Sequence, residues 1–99
     1  MPVAEEMAAV VRPEIKLESV EKARILIQQM LIKRLDKKGW GTFAGKHEIL
    51  GILEEEYTEL KDAIHNDKDG IGPVKAELID IAVGCLFGVA CIEQGVIHR

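Results

Sequence analysis

Between Val20 and Leu35 the apolar residues Val20, Ala23, Ile27, Met30, Leu31 and Leu35 return at intervals of three and four, the period of one helix face. Pro13 suits the first turn of such a helix and Ser19 its cap, and Gly39 follows Lys38 as a stop. A second helix is expected from a cap at Thr42 through Ile49, Ile52, Leu53, Leu60 and Ile64, fraying near Asn66. Asp67 to Gly72 is polar and glycine-bearing, and its acids are too few to form an EF-hand loop, so it reads as a linker between antiparallel helices. Gly72-Pro73 opens a third helix that runs to about Gln94 and ends at Gly95. After Asp80 that segment is apolar on nearly every side, the mark of a central helix or of one shared between subunits. Gly84 and Gly88 form a small-xxx-small pair that would admit a close neighbouring backbone.

Three helices with short connections give an all-α bundle in one domain over residues 13–99. Residues 1–12 carry a short apolar patch from Met7 to Val11 and read as a flexible arm or a subunit contact. A chain of 99 residues buries a small share of its surface, so a strongly apolar third helix leads us to expect completion of the bundle by a homodimer or homotetramer.

Several acids interrupt the apolar pattern. With about 100° per residue and Glu55 at zero, the apolar residues of the second helix span roughly 60° to 180°. Glu56, at about 100°, falls inside that sector, Glu59, at about 40°, at its edge, and Glu54, near 260°, in solvent. On the third helix Glu77 and Asp80 are about 60° apart. Antiparallel packing of these two helices would bring Glu56 and Glu59 opposite Glu77 and Asp80. Four such charges repel and raise one another's pKa values unless a cation joins them. Magnesium, a hard ion that accepts a few carboxylates and completes its shell with water and phosphate oxygens, fits the set best, with manganese as a substitute.

The net charge of −4 divides unevenly. Residues 1–46 hold nine Lys/Arg against six Asp/Glu, and residues 47–99 hold four against eleven. An acidic second half does not suit a nucleic-acid polymer, whose backbone is bound by Lys and Arg. Lys33, Arg34, Lys37 and Lys38 crowd the end of the first helix, where cations complement its dipole or approach a polyphosphate. Lys33, Lys37, Lys38 and Lys46 are candidates for phosphate contact, and Trp40 or Phe43 for a base. Cys85 and Cys91 have neither disulfide nor zinc-site spacing and read as small core residues in a reducing cytoplasm. No export signal is evident, and the apolar run from Ile81 to Ile92 is 12 residues, short of the roughly 20 that span a bilayer. A cytoplasmic protein without membrane partners is expected. A di-iron bundle would need an Asp/Glu-x-x-His pair from each of two helices, and only Asp62 to His65 has that spacing.

Glu55-Glu56-Tyr57-Thr58-Glu59, followed downstream by Glu77-Leu78-Ile79-Asp80, resembles the EExxE and ExxD motifs of MazG-like all-α nucleoside triphosphate pyrophosphohydrolases, over roughly Trp40 to Ile92. The resemblance implies Mg²⁺-dependent cleavage of a nucleoside triphosphate to monophosphate and pyrophosphate in a helical oligomer. By position it makes Glu56, Glu59, Glu77 and Asp80 metal ligands, with Glu55 assisting them or orienting water, and Glu56 or Glu59 as general base. A phosphoribosyl-ATP pyrophosphohydrolase-like enzyme and a non-catalytic nucleotide- or metal-binding module are the alternatives.

Overall fold

A computed structural model describes residues 11–99, apart from the side chain at position 67. The expected arm at residues 1–12 therefore lies, but for Val11 and Arg12, outside the described residues. Three helices make up the fold: α1 (Leu17–Lys38), α2 (Lys46–His65) and α3 (Gly72–Glu93), with a 3₁₀ turn at Asp67–Asp69. It is the all-α bundle expected. The third helix is the shared element, packing against both of the others.

The first helix starts at neither expected position. Lys16 is its cap, and the Lys16 carbonyl accepts the amides of Ser19 at 3.0 Å and Val20 at 3.3 Å, so Ser19 lies inside the first turn and Pro13 ahead of it. Glu18 in that turn complements the helix dipole, and the exposed pairs Lys22–Glu18 at 3.1 Å and Arg24–Glu21 at 2.8 Å line the outer face. The helix ends as expected at Gly39, whose φ of 102° is open to glycine and whose amide donates to the Leu35 carbonyl at 2.8 Å.

Thr42 does not cap α2, which begins after Gly45. The chain first turns Phe43 inward, where its ring meets Phe87 of α3 edge-on, with centroids 4.9 Å apart. Only beyond that anchor does the helix begin. The Glu48 carboxylate reaches back to accept the Ala44 amide at 2.9 Å, which ties down the turn ahead of the helix, while no side chain caps α2 itself. Along α2 the half-buried positions are Ile49, Ile52, Leu53, Glu56, Leu60 and Ala63. Ile64 is exposed, so the core-facing sector is narrower than expected and Glu56 stands near its middle.

Pro73 lies in the first turn of α3, and the helix closes at Gly95, with φ of 85°. The chain then folds back: the Val96 amide donates to the Cys91 carbonyl at 3.2 Å and Ile97 is buried. Gly84 and Gly88 admit side chains, not a second backbone. A Cβ built at Gly84 would lie 3.4 Å from Leu53 Cδ2 and 3.6 Å from Glu56 Oε2, and one at Gly88 would lie 3.5 Å from Ile49 Cδ1. Cys91 is buried as expected, Cys85 is exposed, and both are free thiols. Among the described residues the buried apolar side chains are Leu31, Val83, Cys91 and Ile97, while Leu78, Leu86, Val89 and Ile92 of α3 are exposed. Among the described residues no helix is long and apolar enough to cross a membrane.

Candidate functional site

The carboxylates converge where α2 passes the first half of α3. Glu59, Glu77 and Asp80 each offer an oxygen, and these oxygens lie within 4.8 Å of one another. Glu59 is exposed and the other two are half-buried, so the cluster sits at the mouth of the helix pair. Glu56 stands one helical turn before Glu59, half-buried and close enough to feel the charges of Asp80, Glu59 and Glu77. Its neighbour across the interface is Gly84, where a larger residue would press on the Glu56 carboxylate. Glu54 and Glu55 are exposed, and Glu55 lines the rim of the adjoining cleft.

That cleft has a volume of about 550 Å³ and two walls of opposite sign. Glu55, Glu56, Glu59 and Asp80 form the acidic wall, and Lys33, Arg34, Lys37 and Lys38 of α1 the basic one. The spacing of the basic residues along the last turns of α1 puts all four at the cleft. One contact closes it: the Arg34 guanidinium donates to Asp80 Oδ1 in a half-buried ion pair.

Burial and like charge both show in the titration of the acids. Loss of solvent raises the Glu56 carboxyl above its ordinary value, with the Asp80 charge adding to it and Arg34 opposing. Glu77 is raised for the same first reason, then by the neighbouring Glu59 and Asp80 charges. Glu56 Oε2 and Glu77 Oε2 are both buried without a hydrogen-bond partner. A buried acceptor left unmatched carries a desolvation penalty that a cation or a proton would relieve. The donor set is all carboxylate oxygen, the kind taken by magnesium or manganese. Adjacent and opposite ligands of an octahedral magnesium shell lie roughly 3 and 4 Å apart, so the 4.8 Å spread is only slightly wider than the ion's own shell.

A second cavity of about 310 Å³ opens beside the first, sharing Arg34, Lys38, Ile52 and Glu56 with it. Its far side is apolar, built from Leu31, Leu35, Phe43, Val83 and Phe87. Phe43 thus stands close to the acids, at the distance of one shared wall. Trp40 and Lys46 line neither cavity. Trp40 is 62% exposed, and its indole Nε1 donates to Asp36 Oδ1 at 3.2 Å, so it hangs on the end of α1 and does not anchor the loop.

Pattern reading passes over Phe87 and, though it counts Arg34 among the cations near a polyphosphate, it passes over the pairing of Arg34 with Asp80. A signal existed for Arg34, which follows Ile27 and Leu31 at helical spacing and so shares their inward stripe. For Phe87 there was none within a segment apolar on every side. Compared with protein-family models, curated proteins and solved structures, the chain gives no match.

Proposed function

We propose that this chain is a Mg²⁺-dependent nucleoside triphosphate pyrophosphohydrolase that releases a nucleoside monophosphate and pyrophosphate. The observation that carries the reading is the two-signed cleft, in which a carboxylate cluster faces a row of cations across a space that continues into an apolar cavity. Triphosphates carry both needs at once, since their charge calls for Lys and Arg as well as for a metal held by acids. The motif resemblance to MazG-like enzymes points the same way.

Glu59, Glu77 and Asp80, with Glu56 beside them, would hold the ion. When bound, magnesium neutralises phosphate charge and stabilises the leaving pyrophosphate. Lys33, Lys37 and Lys38 draw in and hold the triphosphate from the opposite wall. Phe43 and Phe87 offer ring surfaces to the base in the apolar cavity. A water oxygen forms the new bond to the α-phosphorus as the bond to the pyrophosphate oxygen breaks, and a carboxylate takes the water's proton. Glu56, half-buried beside the other acids, is the carboxylate to which we assign that proton. Glu55 at the rim can orient the water.

We read the protein as a homo-oligomer. Support comes from the apolar groove of about 880 Å³ between α1 and α3, lined by Val20, Ile27, Ile32 and Leu86 among others. The cytoplasm, where magnesium and nucleotides abound and thiols stay free, is the compartment that suits this reading.

With Mg²⁺ or Mn²⁺, a panel of nucleoside and deoxynucleoside triphosphates should yield pyrophosphate with at least one member. Asp80→Asn or Glu56→Gln should lower that rate by about 100-fold or more while helical content persists, the upper scale on which lost metal-supporting groups are felt. Binding of a nucleotide with no product from any panel member would replace the enzyme by a binding module.

A further inference from the structure

We propose that Arg34 couples metal binding to triphosphate binding: it stands in for the cation at Asp80 while the cleft is empty, and transfers to phosphate oxygens when the nucleotide arrives. The inference rests on the pyrophosphohydrolase reading and adds to it a residue and a linkage that the acidic motifs do not contain.

Three observations carry it. Arg34 comes from α1, 46 positions away from its partner, yet its guanidinium is bonded to Asp80, one of the three clustered acids. Among the described residues it is the one cation in an ion pair with that cluster; Lys33, Lys37 and Lys38 line the same cleft without such a contact. Arg34 also borders both the charged cleft and the apolar cavity, so it sits where the phosphate end of a nucleotide would pass into its base end.

From these the linkage follows by charge and geometry. A divalent ion and a guanidinium compete for the Asp80 carboxylate and repel each other across it, so Arg34 weakens the metal while no other anion is near. A triphosphate offers the guanidinium a new pair of acceptors in the bidentate form that Arg favours over Lys. With Arg34 so engaged, Asp80 is released to the ion. Each ligand then raises the affinity of the other by the same factor, as linkage requires. A metal without nucleotide is held weakly, which keeps the acids from trapping a cation that has nothing to act on.

The test is titration of the full chain with Mn²⁺ alone, and again with an α,β-methylene nucleoside triphosphate present, corrected for the manganese the analogue itself chelates. Wild type, Asp80→Asn, Arg34→Gln and Arg34→Lys are compared, with circular dichroism confirming the helices. Without nucleotide, Arg34→Gln should bind Mn²⁺ about 5-fold more tightly than wild type, a typical coupling factor. The analogue should strengthen Mn²⁺ binding in both, through direct contact of phosphate with the ion, and in wild type by about 5-fold more than in Arg34→Gln, the part that Arg34 adds. Arg34→Lys keeps the charge and loses the fork, so it should hold Mn²⁺ as weakly as wild type yet respond less to the analogue. If wild type binds Mn²⁺ through Asp80 and Arg34→Gln binds it equally or less well, the role of Arg34 is overturned and the metal reading stands. Manganese binding by none of the variants, or binding that Asp80→Asn leaves untouched, overturns both.

Discussion

The two seams of α3 are made from the same apolar helix and differ in nearly everything else. Against α2, its glycines receive Leu53, Glu56 and Ile49, and the seam is close enough that an added methyl would be in van der Waals contact. Against α1 the groove between Val20, Ile27, Ile32 and Leu86 stays open. The open groove has mostly small residues on α3 as well, Ala82, Cys85 and Ala90 beside Leu86, so what differs is that no side chain of α1 fills the space they leave. At the closer seam Glu56 Oε2 and Glu77 Oε2 are buried without partners, which is where a cation would have most to offset.

The largest expected effect separates the buried from the open part of the α1 seam. Leu31→Ala removes a buried contact between α1 and α3 and should lower unfolding stability by about 2–4 kcal/mol, at every protein concentration. Leu86→Glu, in the open part of the same groove, should leave helical content intact and shift sedimentation toward the monomer. Equal losses of chain stability from both would show that the groove is closed within a single chain, and the α1 seam would no longer be the open one.

A smaller effect is electrostatic and belongs to the α2 seam. Because Glu56 and Glu77 are raised in the fold, the folded chain holds more protons than the unfolded one between the ordinary carboxylate value and the raised value. Their favourable contribution is complete below the ordinary value and is lost as pH rises through the raised one. Metal-free protein should therefore lose stability over that interval, and Glu56→Gln should flatten the loss. The exposed Glu21, held low by Arg24, acts in the opposite direction, losing its contribution as pH falls. Subtracting the Glu56→Gln melting profile from that of wild type removes Glu21 from the comparison. A difference profile that rises with pH would show the acids to be stabilised as anions, by Arg34 above all.

The smallest effect tests the glycines. Gly88→Ala places a methyl 3.5 Å from Ile49 Cδ1, an ordinary contact, and gains helix propensity, so stability should rise by up to about 1 kcal/mol. Urea unfolding reads it. A loss would mean that the seam is tighter than its distances indicate.

Helix number, order and ends were largely legible, because apolar spacing and the glycines at 39 and 95 are local signals. Glu56 could be turned inward from its wheel position alone, and the structure places it there. Thr42 misled because a favourable cap residue says nothing about Phe43, whose distant partner Phe87 holds the chain away from helix until Gly45. Ile64 misled because a wheel cannot tell how far a neighbour wraps around it. The Arg34–Asp80 pair was hidden for the same reason: it joins two helices 46 residues apart, and along α1 an arginine between lysines looks like one more solvated cation.

Trp40 hangs from the end of α1 by one hydrogen bond to Asp36, next to Lys37 and Lys38 at the cleft. As the only tryptophan, it makes the chain's ultraviolet emission a single-site signal. That light comes from a polar, solvent-facing indole at the margin of the charged groove, so any event that reorders the last turn of α1 is written into the colour of one residue.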